Sequence, residues 1–144
     1  RQNLPFVQRT KEQINLIQHG GYLLSHEEDA DITLVASGSE VQLILAAAKS
    51  IQNDGFKVNI VSIPCLDKFY LQDQTYRDSV VAPEIPKLVV EALHPDSWHG
   101  LVNLNDKIIG MKTFGESAPA GELMVKFGFT EENIVAEAKK LLTK

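Results

Sequence analysis

A chain of 144 residues, 44% hydrophobic and 23% charged, can bury one core but is too short for two ordinary domains, and it holds too much apolar material to stay disordered. It has no run near the ~20 apolar residues that cross a bilayer. Its charge of −5, from 14 basic and 19 acidic side chains, excludes a general nucleic-acid binder, which needs a basic surface, and leaves room for a local basic site that holds one phosphate.

In chain order, residues 1–18 read as a connector. Pro5 breaks regular structure, and the polar series Gln8, Arg9, Thr10, Lys11, Glu12 and Gln13 offers little to bury. One helical turn fits within residues 11–17. Gly20 and Gly21 interrupt the chain, and residues 22–24 form a short strand before a polar stretch. Residues 32–36 are nearly continuously apolar and run into Ser37, Gly38 and Ser39, the pattern of a buried strand entering a tight turn. Over residues 40–53, Val41, Ile44, Leu45, Ala48 and Ile51 recur on one helical face, with Gln42, Lys49 and Gln52 turned away. Ser39 stands where a cap would, and Glu40 places negative charge in the first turn, where the helix dipole favours it. Asn53, Asp54 and Gly55 supply the stop.

Residues 58–63 form the next strand, closed by Pro64. Strand, turn, helix and strand together predict a right-handed parallel crossover. Residues 67–81 predict one or two short helices, on which Asp73 and Arg77 are four apart and placed to pair. Residues 87–93 and 108–111 are two further strands. Ser117, Ala118 and Pro119 open a helix that Gly128 closes. Thr130 caps the last helix, Glu131 and Glu132 fill its first turn, and Ile134, Val135, Ala138, Leu141 and Leu142 form its buried stripe. Lys139, Lys140 and Lys144 sit at its negative end. The alternation predicts a three-layer α/β/α sandwich around a mostly parallel sheet. Strand order does not follow from periodicity.

Few residues offer chemistry. The turn at Ser37, Gly38 and Ser39 precedes a helix, where free amides and the dipole attract an anion. It lacks the spacing of a dinucleotide or P-loop motif, and glycine is equally suited to making the turn alone. Cys65 is the sole cysteine, so an internal disulfide is excluded and a reducing compartment is the natural reading. As a nucleophile it would need a base such as His94 or His99; an inert, buried thiol is the simpler reading. Those histidines are five apart with no third metal ligand at a recognisable spacing, and Trp98 between them reads as packing at a domain boundary. Glu116 reads as a first-turn acid beside a cap at Ser117. Arg1 is a lone cation, though a guanidinium can fork two hydrogen bonds onto a phosphate. No acid/base pair, catalytic triad, metal cage or complete phosphate loop emerges. The chain opens on Arg1 rather than Met, which predicts a fragment or a processed chain.

Several segments stand in register with one known family. They are Arg1-Gln2-Asn3-Leu4-Pro5, Gly20-Gly21-Tyr22, Ala36-Ser37-Gly38-Ser39-Glu40-Val41, and Thr113-Phe114-Gly115-Glu116-Ser117-Ala118-Pro119-Ala120. To these add Gln72-Asp73, Tyr76-Arg77-Asp78-Ser79-Val80, and Phe127-Gly128-Phe129-Thr130-Glu131-Glu132-Asn133. In order and spacing the chain resembles the C-terminal domain of transketolase, over essentially its whole length. The resemblance implies a five-stranded mixed sheet in which residues 22–24 form the one antiparallel strand, with residues 1–18 as connector and 19–144 as the domain. It implies a cytoplasmic parent enzyme that moves a two-carbon ketol unit between sugar phosphates. Thiamine diphosphate and Mg²⁺ would be bound by the N-terminal and middle domains, in a homodimer, with no nucleic-acid or membrane partner. No catalytic, cofactor or metal residue falls in this domain, which alone would be inactive. Arg1, in the Arg-Gln-Asn motif, would contact the substrate phosphate. The alternatives are a stand-alone small-ligand or nucleotide-binding regulatory domain, and the equivalent domain of another thiamine-diphosphate enzyme such as 1-deoxyxylulose-phosphate synthase or a 2-oxoacid dehydrogenase.

Overall fold

The computed structural model describes residues 3–143. Five strands, β1 (Tyr22–Ser25), β2 (Ile32–Ala36), β3 (Val58–Ser62), β4 (Lys87–Glu91) and β5 (Lys107–Gly110), form one sheet in the order β1-β3-β2-β4-β5. β1 runs antiparallel to β3, and the other three pairings are parallel. The helices are α1 (Lys11–Leu16), α2 (Val41–Asn53), α3 (Leu66–Tyr70), α4 (Gln74–Val80), α5 (Ala120–Phe127) and α6 (Glu131–Leu142).

The sheet is covered on both faces, which is why β2, β3 and β4 are buried at every position and carry apolar residues on both sides. Alternation along each strand divides the apolar residues into two cores. Ile32, Leu34, Ile60, Leu88 and Val90 pack beneath α2 and α6, meeting Ile44, Ile51, Ile134 and Ala138. Val35, Val61 and Val89 face the other way, onto Phe69, Val80 and Trp98. These make the three layers the periodicity predicts. Each fully buried Val, Leu or Ile side chain contributes about 1.5–3 kcal/mol, so the two clusters dominate the favourable side of folding.

The helix ends depart from the simplest expectation in three places. Ser39 does not cap α2: a 3-10 turn over Gly38–Glu40 precedes the helix, and the Ser39 hydroxyl is turned to Glu40 instead. Asp73 does not pair with Arg77. It caps α4 by accepting from the Tyr76 amide at 2.8 Å, while Arg77 donates to the Tyr70 carbonyl and Gln74. Ser117 does not open α5, whose N-cap is Pro119. At α6 the expectation is met, with the Thr130 hydroxyl accepting from the Asn133 amide at 3.3 Å.

Arg9 and Gln13 reach the outer edge of β1. The Gln13 side-chain amide donates to the Leu23 and Leu24 carbonyls at 3.2 and 2.9 Å, and Arg9 donates to the Tyr22 hydroxyl. A sheet edge that would otherwise offer unpaired carbonyls is thereby covered. At the other side of the fold, Lys87 and Asp106 are 2% and 4% exposed and 3.3 Å apart. Asp106 also accepts from the Lys87 and Asn103 amides, pinning the turn before β5 to the start of β4.

Candidate functional site

After β2 the chain crosses to β3 on one side, whereas β4 lies on the other. The carboxyl ends of β2 and β4 therefore flank the point where strand order reverses, the usual position of a ligand crevice in an open α/β sheet. Ser37, Gly38 and Ser39 sit there, as the sequence predicts for an anion-binding turn.

The surroundings are wrong for an anion. Glu40 and Glu91 are 3% and 5% exposed and fill the space beside the turn, each bonded to one of its serine hydroxyls. The Ser37 hydroxyl donates to Glu91, and the Ser39 hydroxyl donates to Glu40 at 2.6 Å. The Ala92 amide points to the second Glu40 oxygen at 3.5 Å. Both serine hydroxyls are engaged, and two carboxyl groups stand where a phosphate would bring two more negative charges. Gly38, at φ 48°, makes the turn, and a side chain there would meet open space. Burial pushes the Glu91 carboxyl above the usual carboxylate range. The Ser37 hydroxyl opposes this, and the neighbouring Glu40 adds to it through charge and hydrogen bonding.

The other candidates are dispersed. Cys65 precedes α3, half-buried, and no hydrogen bond joins it to His94 or His99. Those histidines lie 3.3 and 3.9 Å from Asp96 and are well exposed, where such contacts are worth little. They border an open bowl of about 730 Å³ with Lys107 and Lys112. Trp98 is 3% exposed and belongs to the core under Val35 and Val89 rather than to a boundary. Glu116 lies in the exposed segment before α5, not in a first turn, and is held by Lys126 at 2.6 Å. No cluster of metal-ligating side chains occurs among the described residues, and no described helix is long and apolar enough to cross a membrane. Arg1 lies outside the described residues.

Sequence reasoning missed the two buried carboxyls as a pair. The available signal was Glu91 closing a strand whose three central residues are apolar; nothing in the spacing joined it to Glu40, fifty-one positions earlier.

The family described as "Transketolase-like TK C-terminal domain" matches residues 20–130. Transketolase 1 of Escherichia coli (strain K12) is 45% identical over 144 residues, a span covering 99% of this chain and 22% of that protein. Transketolase 2 of Pasteurella multocida (strain Pm70) is 44% identical over 147 residues, again 99% and 22%. Among solved structures, transketolase from Leishmania mexicana superposes with a TM-score of 0.83 at 38% identity, over 90% of this chain and 19% of that one. A Pichia stipitis transketolase in complex with sedoheptulose 7-phosphate gives 0.88 at 34% identity, over 99% and 20%. The chain thus spans about a fifth of the length of the relatives it matches.

Proposed function

The chain belongs to the transketolase family, as its C-terminal domain, and from that premise we propose that the protein carrying it transfers a two-carbon ketol unit between sugar phosphates in the cytoplasm. Likeness to transketolases across 99% of the chain at 45% identity carries this reading. In it, residues 1–18 join residues 19–144 to preceding domains, and those domains bind thiamine diphosphate and Mg²⁺ within a homodimer. The described residues do not fit either group. The turn suited to a diphosphate is lined by Glu40 and Glu91, and no metal-ligating cluster stands beside it. No step of the transfer is therefore assigned to the described part of this domain, whose work is to brace its neighbours. Exposed Phe6, Leu93 and Phe114 support apolar contact with those domains.

Arg1 supplies the one proposed substrate contact, a forked pair of hydrogen bonds to the sugar phosphate that orients the substrate without entering the bond-making step. A charge-assisted hydrogen bond contributes about 1.5–3 kcal/mol. In the full-length enzyme, Arg1→Ala is then expected to lower kcat/KM for a ketose phosphate by about 10- to 100-fold, chiefly through KM. The same variant should act as wild type on an unphosphorylated ketose. Equal losses on both substrates would remove the contact. Absence of ketol transfer by the full-length protein with thiamine diphosphate and Mg²⁺, or turnover by residues 1–144 alone, would overturn the wider reading.

A further inference from the structure

Glu40 and Glu91 reach the crevice from different elements, one from the turn before α2 and one from the end of β4. Both are more than nine-tenths buried and touch each other. The remaining groups that act on Glu91 are the Ser37 hydroxyl and the Ala92 amide. Glu40 meets the Ser39 hydroxyl and the same amide. On the sheet face that Val35 and Val89 share, Phe69, Val80 and Trp98 pack against the strands, and the buried cation of that face, Lys87, lies four residues before Glu91 and is paired with Asp106 at 3.3 Å. His94 and Asp96, on the chain beyond β4, are exposed and face each other. None of the ion pairs among the described residues includes either glutamate. Two ionised carboxylates in contact, shielded from water and without a cation, repel too strongly to persist.

We propose that Glu91 and Glu40 share one proton, which Glu91 donates to Glu40, so that the two side chains form a pH-sensitive latch holding the Ser37–Glu40 turn against the end of β4. When the proton passes to water, the pair carries two charges, and the turn separates from the strand to admit solvent. The sign follows from the raised Glu91 value: the latch is fully made below the ordinary carboxylate range and is lost as pH rises through the value Glu91 has in the fold. This proposal is independent of the catalytic reading and of Arg1.

The test is hydrogen–deuterium exchange in the full-length protein, followed at the peptide covering residues 36–44 and corrected for the intrinsic rate. Between about pH 6 and about pH 9, a range that spans documented buried glutamates, wild type is expected to lose protection in this peptide by ten-fold or more. Glu91→Gln retains the shape, accepting from Ser37 and donating to Glu40, and should hold the pH 6 protection throughout. Wild-type protection that ignores pH, or a Glu91→Gln protein with the wild-type pH slope, would overturn the latch. A second measurement needs no variant to fold. Wild type carrying ¹³C-labelled glutamate should show the infrared band of a protonated carboxyl at about pH 6, above the range of ordinary glutamates, bleaching as pH rises. A spectrum with ionised glutamates only would exclude the shared proton.

Discussion

Gly20→Val is expected to abolish folding of the domain, and Gly20→Ala to cost about 4 kcal/mol or more, against the 5–15 kcal/mol that is typical of a whole domain. Two independent penalties meet at this residue. Its φ of +89° is one that L side chains rarely adopt. A Cβ built there would lie 2.4 Å from the Cys65 carbonyl oxygen and 2.4 Å from the Phe69 nitrogen. Those atoms are backbone at the start and end of the first turn of α3, and the Cys65 amide already donates to the Gly20 carbonyl at 3.0 Å. Nothing flexible is present to move aside. Gly55 provides the control, since its φ is +93° but its Cβ would meet nothing within 4 Å. Gly55→Ala should therefore show only the backbone penalty, about 1 kcal/mol. Urea unfolding of the two alanine variants checks this: equal midpoints would mean that the contact with α3 contributes nothing.

Asp106→Ala should be the next most damaging change, at about 3–5 kcal/mol. It would leave the Lys87 ammonium, 2% exposed, with only the Ala82, Pro83 and Ile85 carbonyls at 3.3, 3.1 and 2.8 Å. It would also strip the acceptor from the Lys87 and Asn103 amides. An uncompensated buried charge is worse than no charge, so Asp106→Ala combined with Lys87→Met should recover part of the loss. A double-mutant cycle in urea reads the coupling directly. If the double variant is as unstable as the sum of the two single ones, the pair does not act as a unit.

Much of the architecture is written in local pattern. The apolar runs at β2 and β3, interrupted by Thr33, Asn59 and Ser62, mark strands buried on both faces. The spacing of Ile44, Ala48 and Ile51 marks the side of α2 that meets the sheet, and the Thr130 cap and the stripe of Ile134, Ala138 and Leu141 do the same for α6. Each of these depends on neighbours within a few positions. What escaped the pattern depends on which of several available partners each polar side chain takes, and spacing does not decide that. Ser39 looks like a cap until Glu40 draws its hydroxyl inward. Arg77 looks like a mate for Asp73 until the Tyr70 carbonyl and the Tyr76 amide claim the two side chains separately. Trp98 looks like a boundary residue because its loop is polar, yet the 3-10 turn Pro95–Trp98 folds its ring under the sheet. The site reading fared similarly. Gly-Ser chemistry suggested an anion, and only the three-dimensional meeting of residues 37–40 with Glu91 shows that the charge there is of the opposite kind.

The order in which the layers close has a consequence for synthesis. Of the strands in this domain β1 leaves the ribosome first but must wait for β3, its one partner among the described strands. α6 is the last of the described elements to emerge, and it packs beside α2 over the same apolar face of the sheet. Until the dozen residues of α6 appear, Ile44, Ile51, Leu88 and Val90 lack part of their cover, so a nascent or prematurely terminated polypeptide presents a greasy flank for chaperones to shield or proteases to find.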